Sequence, residues 1–323
     1  MILNIVIIAA IILASVVQFS RSFLQSSLWR ATVTPLASII GSGFLVLAPI
    51  LVYAYGSKAP FVMGALVLGA YLFGSAIRFN IAVRNAPVSF HDFIAEKLEI
   101  GASWALAFAF MISVTYYLNL FGAFGLSLTP FDSAANAKLL SSVIFVIILA
   151  VGYTRGFSAL EKMEYAAVTF KLAIMIYITL FALSFEHEEF RLTETAIIDV
   201  MGIVAPILPW ILVAGALAAQ FSAAIADTSG SGGLIAELTK GRISPRNGYV
   251  ILVILGLILT WSADVFQIIS YASRAFALYY TLQAAIAARM AFLLPGQSWR
   301  GCLFSLLVVF GILIVGLGDA VEV

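Results

Sequence analysis

The sequence predicts an all-α protein that crosses a membrane about ten times. Of its 323 residues, 63% are apolar and only 10% are charged, against roughly 25% charged in soluble domains. Mean hydropathy is +1.10. The apolar residues also fall into runs of the roughly 20 residues that a helix needs to cross a hydrocarbon core of about 30 Å. Alternating apolar and polar residues, the mark of membrane strands, are absent.

The runs are 2–19, 31–54, 60–83, 101–128, 138–154, 164–185, 199–226, 247–263, 265–293 and 301–318. Trp261, Ser262, Ala263 and Asp264 form a polar break that separates the eighth from the ninth. In the first, residues 1–10 carry no charge while Arg21 and Arg30 follow the apolar stretch. That order suits a reverse anchor with a translocated N-terminus rather than a cleaved signal. Alternate connections hold Arg21, Arg30, Arg78, Arg84, Lys97, Arg155, Lys162, Lys240, Arg242, Arg246, Arg289 and Arg300 on one side, and Lys58, Lys138 and Arg191 on the other. Twelve against three places the first set in the cytoplasm and both termini outside it. The expectation is a multi-pass protein of the cell membrane, the cytoplasmic membrane in a bacterium.

Composition excludes several functions. The 17 basic and 16 acidic residues nearly cancel, so there is no charge footprint for a nucleic acid. A single cysteine, Cys302, precludes a disulfide framework, and His91 and His187 alone cannot build a zinc centre. Neither H-E-x-x-H nor G-x-S-x-G occurs, and no paired intramembrane carboxylates do, so an enzyme is not expected. Asp227 and Asp264 fall near expected helix ends, where a solvated interface accounts for them. Expected partners are the lipid bilayer and a small solute.

Some residues interrupt the apolar pattern. Gly41-Ser42-Gly43 lies mid-way along 31–54, and glycine weakens a helix by about 1 kcal/mol against alanine. Unwound backbone at that depth must line a cavity or be buried in protein, and broken helices mark binding sites in secondary transporters. Close packing of small residues is the competing reading. Lys171 and Arg274 put basic groups at membrane depth, where each needs a partner or a watery cavity. Function and structure weigh evenly for Lys171, whereas a structural pair is favoured for Arg274. Ser222 opens a run to Gly233 whose hydroxyls and carbonyls could ligate Na⁺; its glycines also suit a helix C-terminus. Tyr116, Tyr117 and Asn119 face either a cavity or neighbouring helices.

Taken together, these segments resemble the sodium:solute symporter family. Ala37-Ser38, Ser42-Gly43-Phe44-Leu45 with Pro49, and Leu68-Gly69-Ala70-Tyr71-Leu72 are similar to its first core helices. Val88 to Lys97 resembles the stretch before its third, and Gly152-Tyr153-Thr154-Arg155-Gly156 the end of its fourth. Ala218-Ala219-Gln220-Phe221-Ser222, with Glu237-Leu238-Thr239-Lys240, is similar to its eighth. Amino-acid permeases, which share the fold, are the nearest rival. The resemblance implies a single transmembrane domain, 1–323, of LeuT-like inverted-repeat architecture within the amino acid-polyamine-organocation superfamily. Residues 1–20 would be an extra N-terminal helix, 31–185 the first five-helix repeat, 199–293 a partial second repeat and 301–318 a peripheral helix. The sixth and seventh core helices are missing, with only the acidic loop 186–198 in their place.

The implied ion site comprises Ala37, Ile40 and Ser222, with Lys171 supplying a fixed or protonatable charge. Ala223 follows Ser222, so one of the family's paired hydroxyls is lost, and Na⁺ dependence is expected to be weak or absent. The solute site comprises Ser42, Gly43, Tyr117 and Asn119. No cofactor is expected beyond Na⁺ or H⁺ as coupling ion. The implied function is cation-coupled symport of a small organic solute; the alternative is a transport-inactive relative acting as a membrane sensor, scaffold or complex subunit. A homo-oligomer or a membrane partner is a candidate for restoring the missing half-site.

Overall fold

The computed structural model describes residues 43–85, 92–156, 195, 197–198, 201–202 and 206–318. All regular structure among these residues is helical, and no strand occurs. The helices are α1 (Gly43–Tyr55), α2 (Ala59–Arg84), α3 (Phe93–Leu126), α4 (Ala134–Arg155), α5 (Leu208–Leu238), α6 (Pro245–Ser262), α7 (Val265–Leu293) and α8 (Ser298–Leu317). Seven candidate spans occur among the described residues, α1 and α2 counting as one run with the short 3₁₀ turn between them. The expected spans 2–19 and 164–185, and the first half of 31–54, lie outside the described residues. So do Ala37, Ile40, Ser42 and Lys171, together with Gly41. α1 begins at Gly43, which is exposed.

Local chemistry explains where the helices begin and end. Asp92 caps α3 by accepting from the Ala95 amide at 2.9 Å, and Ser133 caps α4 through Asn136. Such caps satisfy amides that have no partner within the helix. α4 stops at Gly156, whose φ of 73° is open to glycine at little cost. The polar break at Trp261 to Asp264 is real. α6 ends at Ser262, and Asp264 and Gln267 form a reciprocal capping box that starts α7. Asp264 is exposed, as expected of a residue at a solvated helix end.

Several helix ends differ from the sequence reading by a few residues, and two differences alter it. α3 starts at Phe93 rather than 101, so Glu96, Lys97 and Glu99 form its first two turns. α5 runs on to Leu238 and takes in the whole Thr228–Gly233 stretch that composition had marked as a helix end. Packing holds those small residues helical. A Cβ on Gly232 would collide with the Tyr249 ring of α6, so the glycine serves close approach rather than a turn.

α3 is the axis of the bundle. α5 packs against it in the opposite direction, since Ala107 meets Ser231, Phe121 stacks near Phe221 and Gly125 meets Leu217. α7 also runs antiparallel to α3, from the Phe110–Phe276 ring pair to Asp92 on Arg289. α4 and α6 close one flank, where Gly256 receives the Phe145 ring. α2 and α8 pack on α7 around Phe79, Ala287 and Phe304. These directions bring Arg84, Lys97, Arg155, Lys240, Arg242, Arg246, Arg289 and Arg300 to one end of the bundle. The other end, among the described residues, has Lys58 and Lys138. Arg78 is not a loop residue as expected: it lies within α2, with its guanidinium 4.8 Å from the Tyr71 ring.

Candidate functional site

The seam between α3 and α5 buries the most unusual group among the described residues. Asp227 is 1% exposed and lies eleven residues before the end of α5, about 16 Å along the axis. The expectation of a solvated helix end is therefore wrong for Asp227, because the helix continues three turns beyond it. Ser113 of α3, itself buried, donates its hydroxyl to Asp227 Oδ2 at 2.5 Å; the Phe110 carbonyl, at 3.0 Å, is its other acceptor. A carboxylate at such depth has to be protonated or balanced by a cation.

The same face of α5 carries further polar groups. Gln220 lies seven residues before Asp227 and Ser231 four after it, spacings that align on one face. Gln220 is fully buried, and neither of its amide atoms has a hydrogen-bond partner. Ser231 donates to the Ala107 carbonyl at 3.3 Å. The residues between them are chiefly small, Ala223, Ala224 and Thr228 all being fully buried. A line of Gln220, Asp227 and Ser231 at helical spacing was legible in the sequence. It went unread because the helix was ended at 226.

Ser222 is buried on α5 and donates to Ala219 of its own helix at 3.0 Å. Five residues from Asp227, it projects about 140° away around the axis, so the two do not share a face. Tyr117 is half-buried, its ring 5.8 Å from that of Tyr116 and within electrostatic reach of Asp227. Asn119 has both amide hydrogens in use, one to the Thr115 carbonyl and one to Thr260 Oγ1, each at 2.8 Å. It thereby ties α3 to α6. Gly43 is exposed at the start of α1, whose Leu45 and Val46 are buried in one apolar cluster with Tyr116, Tyr117 packing against it. Ser222 does not share the face of Asp227.

Arg274 behaves as the structural reading expected. Its guanidinium donates to the carbonyl of Gly318, the residue that caps the end of α8. Basic groups near a helix C-terminus satisfy free carbonyls and complement the helix dipole.

Comparison with known proteins decides the family. A family model described as APC superfamily transporter matches residues 21–176 and 174–318. The chain belongs to the APC superfamily of transporters. It is also 33% identical, over 385 aligned positions covering 94% of each chain, to an uncharacterized protein of Aquifex aeolicus (strain VF5). Membership of a transporter superfamily accounts for the apolar helices and makes the chain a multi-pass membrane protein.

Proposed function

We propose that the protein is a cation-coupled secondary transporter of a small organic solute, with Asp227 and Ser113 at the centre of coupling. The observation that carries this reading is the buried carboxylate on α5, which accepts a hydrogen bond from Ser113 of α3. An intramembrane ionisable group is costly unless function retains it. Protonation and deprotonation of Asp227, or exchange of its countercation, would change the charge of the seam and so the balance between two arrangements of α3 and α5.

Within this reading the carbonyls of Ala37 and Ile40, with Ser222 and Lys171, form the ion site. Ser42, Gly43, Tyr117 and Asn119 line the solute path. The commitment of both Asn119 amide hydrogens leaves its Oδ1 for a solute donor. The coupling ion is H⁺ rather than Na⁺, because the oxygens available fall short of the roughly six such a cation takes. The architecture is that of the sodium:solute symporters, with ten helices, the Lys- and Arg-rich end in the cytoplasm and both termini outside.

Two observations support the absence of a helix pair. Coverage of 94% of a 323-residue chain is about 304 residues, so about 80 of the 385 aligned positions have no counterpart here. Two spans of about 20 residues take up about half of that and leave the rest for their connections. The two blocks of the family match also meet at 174–176, which favours a junction slightly before the acidic loop. The same shortfall favours the second reading, a transport-inactive relative that serves as a sensor, scaffold or complex subunit.

Proteoliposomes containing an internal pH dye separate the two. Amino acids and small amines are added singly, with and without Na⁺. At least one solute should move protons, and Asp227→Asn should abolish the movement. Lys171→Ala should alter it more than removal of Na⁺ does. No solute-driven flux in the wild type would favour the inactive relative. An unchanged flux in Asp227→Asn would remove the carboxylate from the mechanism.

A further inference from the structure

α2 carries an arginine on its exposed side. Phe73, Ala76 and Phe79 turn towards α7 and α8. Gly64, Val67, Tyr71, Gly74 and Arg78 recur at intervals of three and four and so share the opposite side. Val67 and Tyr71 are 61% and 65% exposed there, and Gly64 has nothing within 4 Å of an added Cβ. We propose that this face binds an anionic phospholipid, with its phosphate on Arg78 and an acyl chain along Tyr71, Val67 and Gly64.

Arg78 lies six residues before the end of α2, about 9 Å along the axis. Helical side chains lean towards the helix N-terminus, and α2 meets the basic end of the bundle with its C-terminus. The guanidinium is thus carried away from that end and into the span. It lies 4.8 Å from the Tyr71 ring and donates to the Tyr71 carbonyl at 3.4 Å. Gly74 makes room for it, since an added Cβ would come within 3.1 Å of an Arg78 guanidinium nitrogen. The long bond to Tyr71 employs one N–H, whereas arginine has five. Among the described residues, no carboxylate pairs with the rest. A guanidinium at the surface of an apolar span needs a counter-group, and its fork matches two phosphate oxygens.

Neighbouring residues fix the level of the headgroups. Arg300, the third residue of α8, lies 5.7 Å from the Phe79 ring and 5.3 Å from that of Trp299, which is 63% exposed. Tryptophan and basic residues gather at the membrane interface, so Phe79 marks that level on α2. Gly74, beside the Arg78 guanidinium, is five residues deeper, about 7 Å. Local thinning of the bilayer draws a phosphate to an arginine at such a depth. A second copy is the competing occupant of a face with small residues. Two α2 helices meeting in parallel about a two-fold axis would set Arg78 against Arg78, like charges in a medium of low dielectric. Charge therefore favours an anion.

This inference rests on the membrane setting and not on transport. The test is native mass spectrometry of the full chain in detergent, titrated with palmitoyl-oleoyl phosphatidylglycerol or with the phosphatidylcholine of the same chains. The phosphatidylglycerol should be retained in preference. Arg78→Gln should weaken its binding about tenfold, as expected for a charge-assisted contact. Arg242→Gln, which removes a charge from the same end but away from α2, should leave it unchanged. Excess inorganic phosphate should not displace it, because a free ion lacks the chain that lies on Val67. Melting without lipid checks that both variants are folded. Equal retention of the two lipids, unchanged affinity in Arg78→Gln, an equal loss in Arg242→Gln, or displacement by inorganic phosphate would overturn the proposal. So would disulfide-linked dimers of Val67→Cys, made in a Cys302→Ser background and oxidised in phosphatidylglycerol vesicles, which would assign the face to a second copy.

Discussion

Asp227 and Ser113 show how one pair of side chains can set both stability and activity. Asp227→Asn keeps the size of the side chain and an oxygen to accept from Ser113. It should therefore shift stability by no more than about 1 kcal/mol, while coupled uptake falls to background. Ser113→Ala instead leaves the carboxylate without that donor, at a cost of about 1–3 kcal/mol, read as a lower melting temperature in detergent. At the start of α3, the partly buried Asp92 has its carboxyl held down to about 2 by the Arg289 guanidinium and the Ala95 amide. A depressed carboxyl contributes stability above its ordinary value near 3.8, and loses it as pH falls from there towards 2. Arg289→Gln should accordingly melt below the wild type at pH 7, and the gap should narrow below pH 4. A gap that stayed constant down to pH 2 would show that the fork contributes nothing through charge.

Helix packing depends on glycines at specific depths. Gly122 of α3 lies against the backbone of Ala137 and the hydroxyl of Ser141, which donates to the Leu118 and Ala137 carbonyls at 2.7 and 2.8 Å. A Cβ there has no room, because the nearest atom is backbone rather than a flexible side-chain end. Gly122→Ala should cost about 1–3 kcal/mol, the usual penalty of overpacking. Gly64 and Gly69 of α2 have nothing within 4 Å of an added Cβ. Alanine at either should be neutral or stabilising by a few tenths of a kcal/mol to about 1 kcal/mol through helix propensity. Melting temperatures of the three variants, measured side by side, distinguish close packing from mere composition. Equal effects at Gly122 and Gly64 would contradict the packing derived for α3 and α4.

Across the whole molecule, charge is segregated by end. The antiparallel packing of α3 against α5 and α7 gathers eight described Lys and Arg side chains together, and the positive-inside rule predicts that end for the cytoplasm. Cysteine at Arg242, introduced into a Cys302→Ser background, should react with a membrane-impermeant maleimide in spheroplasts only after permeabilisation. Cysteine at Lys138 should react before it. The reverse pattern would invert the topology.

The sequence by itself determined the helical class, the membrane setting, the α6–α7 break and the charge asymmetry. Each follows from local chemistry: run length against bilayer thickness, capping residues at a helix start, and loop charge. The motifs in 37–49, 68–72, 88–97, 152–156, 218–222 and 237–240 also pointed to the superfamily. Only tertiary packing decided that Thr228 to Gly233 stays helical, since composition alone suits a helix end and it is the Tyr249 ring of α6 against Gly232 and the Phe110 ring of α3 against Gly230 that need those glycines in place. That extension carried Asp227 from an apparent interface into the interior, and the antiparallel register of α3 set Ser113 beside it. Side-chain depth is a property of neighbours, which is why buried charge was the part of the site that single-chain periodicity misplaced.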